Sequence, residues 1–92
     1  MQAAAAETVA LQALAWLVGN DDLLPVFLGA SGAGLAELAA GAGQPELQAA
    51  VLDFLLMDDA WVTAFCDAAG LRYEDPLQAR MALPGGQVDH WT

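Results

Sequence analysis

The sequence predicts an all-α fold: a compact bundle of about five to six short helices, built from two pseudo-repeated helical hairpins. Three observations predict it. Ala and Leu dominate over β-branched residues, and no segment alternates apolar and polar residues with the period of two that a half-buried strand needs. Asp, Asn, Pro and Gly stand where helices start and stop. The chain also aligns with itself, without a gap, at a shift of 38 residues, as Asp21 falls on Asp59.

A first helix is expected over about residues 3–19. Asn20, Asp21 and Asp22 each suit an N-cap, where a side-chain oxygen accepts from an unpaired backbone N–H. Pro25 then falls in a first turn, where its missing N–H costs little, so a second helix follows at about 22–31. A short third helix covers about 34–41. Gln44-Pro45-Glu46 opens a fourth at about 45–57, with Pro at a first helical position and an acid near the positive end of the dipole. Asp58-Asp59 stop that helix and cap a fifth over 59–69, which Gly70 terminates in the left-handed conformation. Asp75-Pro76 opens the last, over about 76–82, which cannot continue through Pro84-Gly85-Gly86. The linkers are too short for a domain break. Residues 1–84 therefore read as one domain and 85–92 as an irregular tail.

The shift of 38 residues pairs Leu14 with Leu52, Leu17 with Leu55, Phe27 with Phe65, Ala30 with Ala68 and Gly32 with Gly70. Trp16 falls on Phe54, Asn20 on Asp58 and Ser31 on Ala69. The paired positions have distinct physical tasks: core aliphatic, ring, cap and terminator. An outer stripe at helical spacing is paired as well, with Thr8, Gln12, Ala15 and Gly19 against Glu46, Ala50, Asp53 and Met57. Neither hairpin can bury its apolar face alone, so the two need each other. The expected core runs through Leu14, Leu17, Phe27, Val51, Phe54, Leu55 and Phe65.

Composition narrows the function. Hydrophobic residues make up 58% of the 92 and charged ones 15%, which excludes an intrinsically disordered chain. Twelve acids stand against two cations, Arg72 and Arg80, for a net charge of −10. So few cations cannot neutralise phosphates, which argues against nucleic acid and against an anionic membrane surface. The single Cys66 forms no internal disulfide. The apolar start, Met1 to Gly19, lacks a positive n-region and is interrupted by Glu7, Thr8 and Gln12. A soluble cytoplasmic protein is expected.

The chemistry-bearing residues have plainer explanations. Capping accounts for Asp21-Asp22 and Asp58-Asp59 at once, whereas a carboxylate dyad or a hard-metal site would need converging side chains. Cys66 falls on Leu28 in the repeat and so reads as an apolar position, and His90 in the tail is poorly held as its base. One Cys and one His do not make a zinc site. Gly29 to Gly34 follows no strand and precedes no Lys-Ser/Thr, so a phosphate loop has no frame. No catalytic, cofactor or metal residue is expected.

The second hairpin, Val51-Leu52-Asp53-Phe54-Leu55-Leu56-Met57-Asp58-Asp59-Ala60-Trp61 followed by Ala64-Phe65-Cys66-Asp67-Ala68-Ala69-Gly70-Leu71, resembles an alphaproteobacterial domain-of-unknown-function family, DUF3572. The first, from Ala13-Leu14-Ala15-Trp16-Leu17 through Asn20-Asp21 to Phe27-Leu28 and Gly32, fits the same pattern. The resemblance covers about Glu7 to Gly86 and implies a small, cytoplasmic, all-α protein with no active site to carry over.

The residues therefore point first to a non-catalytic protein–protein interaction or adaptor module with a protein partner, a second copy of the chain included. The alternative is an acidic mimic or antagonist docking on a basic surface of a regulator or nucleic-acid-binding protein. An enzyme of unrecognised type is the third reading. Arg80, Met81, His90 and Trp91 form the candidate interaction surface, and a surface Trp is a typical interface anchor. Trp91 is nevertheless expected to dock on the chain's own helices, which leaves a groove beside the last helix and Met81 as the contact surface, with insertion of the tail into a partner as the alternative. An apolar groove favours the adaptor, a contiguous acidic face the mimic, and a deep pocket of convergent polar groups the enzyme.

Overall fold

The computed structural model describes residues 1–83. Six helices follow one another: α1 (Ala3–Val18), α2 (Leu24–Ser31), α3 (Leu35–Gly41), α4 (Pro45–Leu55), α5 (Asp59–Ala69) and α6 (Asp75–Ala82). All six expected helices are present, and the chain is an all-α bundle. The expected boundary after Pro84, and the tail with His90 and Trp91, lie outside the described residues.

Local chemistry explains the ends. Asn20 Oδ1 accepts from the backbone N–H groups of Asp22 and Leu23, each at 3.1 Å, and holds a turn over 21–23; α2 begins after it at Leu24, two residues later than expected. Asp58 Oδ1 accepts from Ala60 N–H at 2.8 Å and is the N-cap of α5, while Asp59 is the first residue of that helix. Glu37 Oε1 accepts from Gly34 N–H at 2.6 Å and closes the start of α3. The fourth helix ends at Leu55, short of the expected residue 57, because its last bonds tighten to three-residue spacing: Met57 N–H donates to the Phe54 carbonyl. Gly32 and Gly70 end α2 and α5 at φ 75° and 73°, a left-handed conformation that glycine adopts without steric cost.

Packing builds the core around three helices. The first packs against α6 and α4, and α4 packs against α6, with α2 and α5 leaning on α1. The α1 face turned inward is Ala6, Val9, Ala10, Ala13 and Leu17, mostly small residues that let α4 and α6 approach closely. Ala79 and Pro76 supply the matching face of α6. Of the expected core, Leu17, Phe27, Val51, Phe54, Leu55 and Phe65 are buried, and Leu14 is half-buried against them. The burial of α6 was not among the expectations, since Ala79 and Leu83 carry no pattern that marks them.

Gln48 is the one buried polar residue of the described chain; its Nε2 donates to the Ala42 carbonyl at 3.1 Å and ties the α3–α4 turn to the bundle. No single helix among the described residues is long and apolar enough to cross a membrane; α2 and α3 together pass on length and composition but are bent by 79°.

Candidate functional site

Among the shallow grooves on the described residues, two of about 260 Å³ each form a pair. The first lies between α2 and α4. Phe27, Ala30 and Ser31 form one wall, and Ala50, Asp53, Phe54 and Met57 the other. The second lies between α5 and α1, where Phe65, Ala68 and Ala69 face Gln12, Ala15 and Trp16. Each residue of the second groove stands 38 positions from a residue of the first, Phe65 from Phe27 and Trp16 from Phe54. The rings meet alike: Trp16 and Phe65 are edge to face at 5.9 Å and 61°, Phe27 and Phe54 at 5.2 Å and 66°.

Charge separates the two grooves. Asp53 stands on the rim of the first with 58% of its side chain exposed, and Arg80 Nε donates to its Oδ1 at 2.6 Å, joining α6 to α4. Pairs open to water on one side contribute only about 0–1 kcal/mol. The counterpart of Asp53 in the second groove is Ala15, and Gly19 stands where the first has Met57. Met57 is 74% exposed, a flexible and polarizable thioether suited to varied apolar surfaces.

Of the residues proposed from sequence, Arg80 touches the first groove only through its bond to Asp53, and Met81 is exposed on α6; neither lines either groove. His90 and Trp91 lie outside the described residues. Sequence reasoning missed the grooves themselves. The outer stripe Glu46, Ala50, Asp53 and Met57 was visible at helical spacing, but its apposition to α2 depends on how the two hairpins cross.

Cys66, Tyr73 and Arg72 line neither of these grooves. Cys66 is fully buried, and its Sγ donates to the Arg72 carbonyl at 3.3 Å. Burial, followed by the charges of Asp75, Asp67 and Glu74, pushes the thiol pKa up, so the thiolate that nucleophilic chemistry needs is disfavoured. Tyr73 Oη donates to Asp67 Oδ1 at 2.8 Å, and that bond, with the Asp67 charge, raises the phenol. Arg72 is 80% exposed, 3.9 Å from Asp75, whose other oxygen accepts from Arg72 N–H at 3.0 Å. Among the described residues no group of three or more His, Cys, Asp or Glu is placed to hold a metal.

No curated protein and no solved structure matches the chain. One family does, described as "Protein of unknown function (DUF3572)", over residues 3–86, a span that contains all six helices. With more than half of its length matched, the chain belongs to the DUF3572 family.

Proposed function

We propose that the protein is a non-catalytic interaction module that docks protein partners in the grooves between α2 and α4 and between α5 and α1. The observation that carries this reading is the first groove: small residues leave room above an aromatic floor, and an exposed methionine edges it. At about 260 Å³ it falls below the usual size of small-molecule pockets and suits side chains presented by another protein. The reading includes an internal repeat. Side-chain oxygens of Asn20 and Asp58 that accept from the backbone N–H two residues on, matched left-handed glycines and matched ring pairs support it.

The test compares capture from native lysate by the full chain and by two variants, Ala30→Gln and Ala68→Gln, that fill one groove each with a neutral, helix-compatible side chain. Proteins held by the wild type and lost by a variant of unchanged melting temperature support docking. Identical capture by all three chains overturns it.

A further inference from the structure

Resting on that docking reading, we infer that the groove between α2 and α4 takes the apolar face of a basic amphipathic helix, whose Lys or Arg side chains pair with Glu46 and Asp53. The exposed edge of α4 is built for such an occupant. Glu46, Ala50, Asp53 and Met57 follow one another at helical spacing, carboxylate alternating with apolar side chain. They lie on one face of α4 and its C-terminal turn, over a length of about 16 Å at 1.5 Å per residue. A helix laid along this stripe sets apolar residues on Ala50 and Met57 and into the groove above Phe54, with cations opposite the two carboxylates. This is the helix-in-groove mode of recognition.

Charge selects the partner's sign. The chain carries −10 overall, and Asp53 keeps more than half its side chain exposed while it holds Arg80, so a second cation can reach the same carboxylate. An acidic helix would meet repulsion along the whole stripe. The second groove is an internal control. Its edge, Thr8, Gln12, Ala15 and Gly19, has the same spacing and no charge.

The experiment is a titration of the full, 15N-labelled chain with three synthetic helices of one length. The first is built of leucine and lysine, the second has glutamine for lysine, and the third has serine for leucine. The leucine–lysine helix is expected to shift the amides of Ala30, Ser31, Ala50, Asp53 and Met57. Its affinity should fall about tenfold or more when either residue class is replaced. A similar loss is expected for the Ala30→Gln chain and for Glu46→Gln, with Met57→Gln as a third variant at a position too exposed to threaten folding. Raising the salt should weaken the leucine–lysine helix more than the glutamine one.

Shifts centred on Asp21, Asp22 or Asp67, or on the groove between α5 and α1, overturn the inference. So does equal affinity of wild type and Ala30→Gln, or no binding at all. The two readings fail separately. If the leucine–lysine helix misses the groove while Ala30→Gln still loses a captured protein, the basic helix is wrong and docking stands; if Ala30→Gln and Ala68→Gln also leave capture unchanged, both are wrong.

Discussion

Trp16 meets Phe65 edge to face, with ring centroids 5.9 Å apart, and so fastens α5 to α1 across the bundle. Phe27 and Phe54 fasten α2 to α4 in the same manner at 5.2 Å. Each second helix of a hairpin thus sets its ring against the first helix of the other. Trp61 extends the second pair by stacking on Phe54 at 4.8 Å and 21°. Ring pairs of this kind contribute about 0.5–1.5 kcal/mol beyond the area they bury.

The paired rings should be costly to remove. Phe65→Ala and Phe27→Ala each delete a side chain that is 0–1% exposed, and each is expected to destabilise by about 3–5 kcal/mol. Denaturant unfolding at constant m-value checks this. A loss under 1 kcal/mol at either position would mean that the hairpins do not hold each other through these rings.

Asp58→Ala should cost about 0.5–2 kcal/mol, because it removes the N-cap oxygen of α5, and Asn20→Ala a similar amount, because its oxygen holds two backbone N–H groups of the turn that leads into α2. Asp21→Ala, exposed and without a cap bond, should change stability by less than about 0.5 kcal/mol. Equilibrium melts of the three variants separate caps from bystanders.

Gly32→Ala and Gly70→Ala should each cost about 1–2 kcal/mol through the backbone alone, since a Cβ there meets no atom within 4 Å but φ is 75° and 73°. Gly29→Ala, inside α2 and equally uncrowded, should instead stabilise by about 0.5–1 kcal/mol. Opposite signs in the same melting series are the diagnostic result.

Alkaline pH should weaken the fold. The Cys66 thiol has its pKa raised in the folded chain by burial and then by nearby carboxylates, so the unfolded chain loses its proton first. That contribution is complete below the unfolded thiol pKa of about 8.5 and is lost as pH rises from there through the folded value. Melting temperatures measured upward from neutral pH should fall in the wild type and fall less in Cys66→Ala. Tyr73→Phe removes the other raised group, whose titration begins at higher pH.

Helix ends were legible because their causes are local. Asp58, Gly32, Gly70 and Pro45 act within one turn of their own positions, and the structure places all four at the ends where that chemistry puts them. Large apolar residues in periodic stripes were legible too, which is why six of the seven expected core residues are buried. The cap of α5 could be narrowed to Asp58 or Asp59, and the backbone chose Asp58, whose extended ψ of 119° aims its carboxylate at Ala60 N–H.

The packing was not legible. In a chain that is 58% hydrophobic, Ala6, Ala10, Ala13 and Ala79 look like every other alanine, and only the close approach of α1, α4 and α6 makes them core while leaving Leu11 and Val18 exposed. The same holds for the groove. Caps, turns and apolar periodicity are interactions among near neighbours, so a single chain read in order carries them. Phe27 and Phe54, or Asp53 and Arg80, are 27 positions apart, and what brings them together is the crossing of whole helices, a choice made by burying the most surface at once rather than by any residue alone.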